Sequence, residues 1–369
     1  MAIALLTTYL AGYRMPLYER LAERDGVEVL CYGRGDRYAP SWFRDLDAQL
    51  ASAPFPAKRL QGARQAFEVA RRYEAVIAPF AGGAILPAAY LGARRHRKPF
   101  ILWASVWAQP RSLSHALALP LTRHIYRRAD AVIAYGEHVR RFVTQIRGRD
   151  DDVFIAPQSV EPELFAREVS GEEIQAFRSR HELGDASLAI YVGRLVPEKG
   201  VGVLLEVWPH IAARCNAVLV LVGDGPLADD ARHTSGARLL GPLPRAELPV
   251  AYAASELAIL ASIPTARFRE PWGLVCNEAM HQGRPVVASD SVGAVAGGLV
   301  RDGETGLVVP AGDHQALMRA VVRLLSDDAL CERLGEAARE AVKPYTYDAM
   351  AEGFGRALAT AIRPSPTGP

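Results

Sequence analysis

Short apolar runs rich in β-branched residues, each followed by a longer stretch of helical spacing, recur along almost the whole 369-residue chain. The runs alternate little between apolar and polar positions, so both faces of each strand must be covered. Parallel neighbours need a crossover, and a helix commonly supplies it. Strands are therefore expected at Ala2–Thr7, Val27–Cys31, Ala75–Ala78, Phe100–Trp103, Ala131–Ala134 and Val153–Ala156. A second set follows at Leu188–Val192, Ala217–Val222, Leu257–Leu260, Pro285–Ala288 and Gly306–Val309. Helices are expected between them, among others at Pro16–Arg24, Leu113–Arg128, Glu137–Arg147 and Gln315–Leu325.

The alternation breaks near Val160–Val169, where Pro157, Pro162 and several charges interrupt it. The length is about twice that of a typical domain. The expected fold class is α/β, with two doubly wound Rossmann-like domains over residues 1–165 and 166–346. The tail from Arg363 to Pro369, rich in Pro, Ser and Gly, is expected to be disordered.

A formal charge of +2 is too small to mark a nucleic-acid binder, and no nucleic-acid partner is expected. The cysteines Cys31, Cys215, Cys276 and Cys331 lie far apart and have neither metal nor redox spacing. They read as reduced residues of a cytoplasmic protein. Met1–Leu6 lacks the basic flank of a signal peptide and reads as the first strand. The uncharged stretch Ala75–Ala93 is long enough to span a bilayer, but Pro79, Gly82, Gly83 and Pro87 divide it into strand, turn and helix.

In open α/β sheets, ligands gather at the carboxyl ends of the strands. Three loops of the second half carry chemistry there. In Gly193-Arg194-Leu195-Val196-Pro197-Glu198-Lys199-Gly200, two cations leave a strand end. Arg194 can grip a phosphate through paired hydrogen bonds, and Lys199 adds a compact charge. Two solvated loop cations would look the same. In Gly223-Asp224-Gly225-Pro226, glycines permit close backbone approach to a flat ligand, or simply form a tight turn. In Glu270-Pro271-Trp272-Gly273-Leu274-Val275-Cys276-Asn277-Glu278, a helix begins near Gly273 with a carboxylate on each side of its start. Its free N–H groups suit an anion such as a diphosphate.

In this order and spacing, from Leu188 to Pro310, the motifs resemble the family 4 glycosyltransferases, retaining enzymes of GT-B architecture. Glu270 and Glu278, with seven residues between them, are joined by Gly283-Arg284-Pro285-Val286-Val287-Ala288 and Asp302-Gly303-Glu304-Thr305-Gly306. The resemblance implies two domains facing across a cleft. It implies a nucleotide-diphosphate sugar as donor, and no cofactor or metal. The run Asp150-Asp151-Asp152 offers paired carboxylates but precedes a strand on the domain's far edge, and it is read as a solvated turn.

It also implies roles. Arg194 and Lys199 would bind the donor diphosphate, Glu270 the hydroxyls of the transferred sugar, and Glu278 the ribose hydroxyls. Backbone at Trp272, Gly273 and Leu274 would contact sugar and phosphate. Leu243 would sit near the base, with Gly193, Gly223 and Gly225 around the donor. A final helix, Tyr347–Ile362, would return to the first domain.

The first half fits less closely. After the first strand comes Thr8-Tyr9-Leu10-Ala11-Gly12-Tyr13-Arg14, with Gly12 alone where the family often has a glycine pair. The histidine common after the strand at Phe100–Trp103 is missing, and His115 and His124 fall on a helix. The family's glutamate near Gly293–Val300 is replaced by Ala296-Gly297-Gly298. Tyr9, Tyr13, Arg14 and Arg111 are the candidate acceptor contacts. The acceptor class implied is a glycan, a lipid-linked molecule or a small molecule. Basic stretches at Arg94–Lys98 and Arg123–Arg128 suit an anionic membrane surface or a solvated helix face. Two other readings use the same features: a sugar-nucleotide epimerase, and a non-catalytic nucleotide-sugar-binding protein.

Overall fold

The computed structural model describes residues 2–33, 46–80, 83–109, 113–266 and 268–362. The chain divides into two compact units, Met1–Gln158 with Thr346–Pro369, and Ser159–Tyr345. The first crossing thus falls before the proline-rich break. Residues 159–165 belong with the second unit because their bonds lie there. Ser159 Oγ donates to the Tyr345 carbonyl at 2.7 Å, Glu161 pairs with Arg245 at 2.6 Å, and Gln282 Nε2 donates to the Phe165 carbonyl at 2.6 Å. The tail 363–369 lies outside the described residues.

The first unit holds β1 (Ile3–Thr7), β2 (Val27–Cys31), β3 (Ala57–Arg59), β4 (Ala75–Pro79), β5 (Phe100–Ala104), β6 (Ala131–Ala134) and β7 (Val153–Ile155). They form one parallel sheet in the order β3-β2-β1-β4-β5-β6-β7. Successive strand residues point to opposite faces, and both faces are dry. Leu6, Val76, Leu102 and Val132 pack with Tyr90, Ile125 and Tyr126. Leu5, Ile77, Ile101 and Ile133 pack with Leu17, Tyr18, Tyr347 and Phe354. The last helix, Tyr347–Ile362, therefore completes the second face; burying a side chain such as Phe354 contributes about 1.5–3 kcal/mol.

The second unit holds β8 (Ser187–Val192), β9 (Ala217–Val222), β10 (Ala237–Gly241), β11 (Leu257–Leu260), β12 (Val286–Ser289) and β13 (Gly306–Val309). Its parallel sheet runs β10-β9-β8-β11-β12-β13. Two strands had no counterpart in the sequence reading, β3 and β10. Each closes one edge of its sheet, where half-exposed residues replace a continuous apolar run.

In the aspartate run Asp150 and Asp151 are exposed as expected, and Asp152 departs from expectation. The run does precede edge strand β7, but Asp152 is buried against Arg147, which is itself sealed from solvent. Arg149 adds a second ion pair at 2.7 Å. The segment Ala75–Ala93 divides into β4 and the helix Ile85–Arg95. Among the described residues, no helix is long and apolar enough to cross a membrane.

Candidate functional site

In the second unit the chain winds from β8 to β9 and β10 on one side, then returns to β11 on the other side of β8. Loops leaving β8 and β11 therefore diverge at their carboxyl ends, which opens a crevice at this switch point. The residues singled out in the sequence converge on it. Gly193 and Arg194 leave β8, and Tyr191 Oη donates to the Arg194 carbonyl at 2.7 Å, fixing the start of the loop. The Arg194 side chain is exposed and lies 3.8 Å from Glu198. A short turn, Pro197–Lys199, then feeds the helix Val201–Cys215.

Lys199 and Glu270, far apart in sequence, meet as an ion pair on which Ser262 Oγ also converges, donating to the same carboxylate oxygen at 3.0 Å. The ammonium lies 5.6 Å from the Phe268 ring centre. Glu270 is buried, and its backbone is held by a bridge to Val292 and by Gly293 N–H at 3.1 Å. Ala294 N–H likewise binds the Trp272 carbonyl at 2.7 Å. The loop carrying Glu270 and Trp272 is thus clamped by the start of the helix Gly293–Ala296.

Gly273, at φ 96°, caps the helix Leu274–His281. A side chain there would meet the movable end of Leu260 at 2.5 Å, and it is the positive φ that calls for glycine. The first N–H groups of this helix lack intrahelical acceptors and carry its positive dipole end. Trp272 Nε1 donates to Asn277 Oδ1 at 2.7 Å, locking the indole over the first turn. Glu278, half-buried, accepts a hydrogen bond of 2.7 Å from Tyr252 Oη. Burial pushes its carboxyl above the usual range; the Tyr252 hydroxyl and the Arg245 charge pull the other way. Cys276 lies within the field of Glu270 and Glu278, and burial first, then those charges, raise its thiol.

Gly223 serves a purpose the sequence does not reveal. A Cβ there would sit 2.0 Å from the Gly193 carbonyl oxygen, and one at Gly225 would sit 2.5 Å from that of Leu195. These glycines let the loops after β8 and β9 lie backbone to backbone. Leu243 is half-buried on the loop after β10. Ser262 and Tyr252 were missed in the sequence. Ser262 lies two residues after the end of β11, a position that could have marked it, whereas nothing local distinguishes Tyr252.

In the first unit, Tyr9 and Gly12 follow β1, at the switch point between β1 and β4. The Tyr13 carbonyl accepts from Tyr347 Oη at 2.5 Å. Arg14 corrects the expectation of an acceptor contact. It is buried, donates to Gln158 Oε1 at 2.7 Å and Tyr135 Oη at 2.9 Å, and stacks 4.7 Å from the Trp103 ring centre. A guanidinium so enclosed braces the domain core. Arg111 and the side chain of His115 lie outside the described residues. His124 is engaged with Tyr90 Oη at 3.1 Å.

The comparisons agree with this geometry. Residues 186–327 match the family described as glycosyl transferases group 1. Over this stretch the chain is similar to that family. The glycosyltransferase stretch covers the crevice and both glutamates. The chain is 36% identical over 169 residues to the alpha-D-kanosaminyltransferase of Streptomyces kanamyceticus, covering 44% of this chain and 42% of that protein. It is 31% identical over 239 residues to the GDP-mannose-dependent alpha-(1-6)-phosphatidylinositol monomannoside mannosyltransferase of Mycolicibacterium smegmatis, covering 60% of each. The matches thus span about half the length of such relatives. The solved structure of Anabaena HepE in complex with UDP superposes with a TM-score of 0.80 at 19% identity, over 98% of this chain and 100% of that one. The fold is the GT-B α/β fold, built from two doubly wound Rossmann-like units.

Proposed function

We propose that the chain is a retaining glycosyltransferase that moves a hexose-type sugar from a nucleotide-diphosphate donor to a glycan, lipid-linked or small-molecule acceptor. The observation that carries this reading is the gathering of Arg194, Lys199, Glu270 and the start of the helix bearing Glu278 at one switch point. Arg194, Lys199 and the helix N–H groups would hold the diphosphate and stabilise its charge as it leaves. Glu270 would orient the sugar through its hydroxyls, with Ser262 fixing the carboxylate. Glu278 would hold the ribose. Backbone at Trp272, Gly273 and Leu274 would line the phosphate and sugar, and Leu243 the base. Gly193, Gly223 and Gly225 would allow close approach.

The reading assigns no side chain as a nucleophile. Acceleration would come from positioning and from preorganised charge, with the acceptor attacking the face the diphosphate leaves. On this reading those cations would do what a divalent metal would otherwise do, and it calls for none. Tyr9 and Tyr13 remain the acceptor-side candidates. That the mannosyltransferase is named for GDP-mannose and HepE was solved with UDP supports a nucleotide-diphosphate donor.

A peripheral membrane location fits the first unit. Leu117 is 85% exposed, and Leu121 lies one turn on along the helix Leu113–Arg128, followed by Arg128. Leu91 and Arg94 are exposed on the helix Ile85–Arg95, joined to it by the Tyr90–His124 bond. Apolar tips beside arginines suit the headgroup layer of an anionic bilayer.

The decisive experiment is a thermal-shift screen with UDP-, GDP-, ADP- and dTDP-sugars, run with Glu278→Ala alongside. Ligand bound to the folded state raises Tm. A rise with one nucleotide, lost in the variant, is expected. No rise with any of them would sink the reading.

A further inference from the structure

Glu278 does not reach the crevice as a free carboxylate. Its Oε2 atom accepts from the hydroxyl of Tyr252, on the helix Leu248–Ala253, at 2.7 Å. Tyr252 is fully buried, so its ring cannot swing away and its hydroxyl has a fixed position. A tyrosine hydroxyl donates one hydrogen, and an ionised carboxylate only accepts. The bond therefore fixes the rotamer of Glu278 and favours its ionised form, and the described residues leave Oε1 without a protein partner.

We propose that Tyr252 is a positioning residue for donor recognition: by holding Oε2 it presents the rest of the Glu278 carboxylate to the ribose diol. This rests on the reading of Glu278 as the ribose ligand. A rotating carboxylate would have to be ordered when the donor binds, and a protonated one would lose an acceptor. Tyr252 prevents the first and opposes the second. The charged and titratable groups facing Glu278 among the described residues are Tyr252, Cys276 on its own helix, and Arg245, whose charge is already shared with Glu161 at 2.6 Å. Burial raises the Glu278 carboxyl while Tyr252 lowers it. Removing the hydroxyl should thus move the pH at which affinity is lost upward.

The test is calorimetric titration of the full chain with UDP, and with GDP, ADP and dTDP, across pH, for wild type, Tyr252→Phe, Glu278→Gln and the double variant. Phenylalanine fills the same buried space, and Tm reports whether the fold is kept. Tyr252→Phe should weaken binding of the preferred diphosphate about tenfold, the worth of one hydrogen bond to a charged group. It should also shift the pH midpoint upward while leaving turnover at saturating donor within about twofold, since the lost interaction is made equally in ground and transition states. In the Glu278→Gln background the same change should cost little, because the two residues act as one unit. Tight binding and an unmoved midpoint in Tyr252→Phe, with Glu278→Gln weak, would overturn the role of Tyr252 alone. So would full additivity in the double variant. Tight binding in Glu278→Gln would instead remove the ribose role of Glu278, and that of Tyr252 with it.

Discussion

Lys199 and Glu270 illustrate how much a single contact decides. As separate sequence features they are a loop cation and a loop acid; the fold makes them one ion pair, tied to Ser262. Truncating one partner takes the pairing charge away from the other in a largely buried setting. Lys199→Ala is accordingly expected to lower kcat by roughly 10²–10³, the scale of one preorganised donor at a developing charge. Adding Glu270→Ala should cost much less than the sum of the two single changes, measured as a double-mutant cycle on the rate. The positions of both residues were legible from motif spacing. Their pairing was not, because nothing local reports what a loop touches across a switch point. The same blindness explains Arg14, which resembles a ligand-facing cation in sequence and is walled in by Trp103, Tyr135 and Gln158.

The helix Leu274–His281 carries the candidate site at one end and a buried imidazole at the other. Burial lowers the His281 pKa to about 4, with Glu163 pulling upward. The neutral ring is the native one, so stability is fully present above the unfolded value near pH 6.5 and lost as pH falls towards 4. The loss should approach about 3 kcal/mol. Urea midpoints at about pH 7.5 and about pH 4.5 should separate less in His281→Leu than in wild type. Most elements of the fold were readable, since apolar runs such as Ala217–Val222 can be little else than buried parallel strand. The edge strands Ala57–Arg59 and Ala237–Gly241 were not, because their partly solvated positions remove the apolar signal. The glycines before the second unit's helices were legible as turns, whereas the contact between Gly193 and Gly223 needed three dimensions.

Taken whole, the molecule combines a crevice suited to a charged donor with a leucine–arginine face on its first unit. If that face rests on a bilayer, Leu117→Ser with Leu121→Ser should reduce co-sedimentation with anionic liposomes. Arg127→Glu with Arg128→Glu should reduce it more than tenfold, at about 1 kcal/mol for each basic residue near the surface. Binding indifferent to both pairs and to salt would refute the location.

The segment Ser159–Tyr345 forms its own unit, and only afterwards does Tyr347–Ile362 supply Tyr347, Met350, Phe354 and Leu358 to the core of the first. On the ribosome, at about 5–20 residues per second, the second unit is fully synthesised while the first still shows an open apolar face. The part made earliest is finished last, and for those seconds Leu17, Tyr18 and Trp103 await a cover not yet translated.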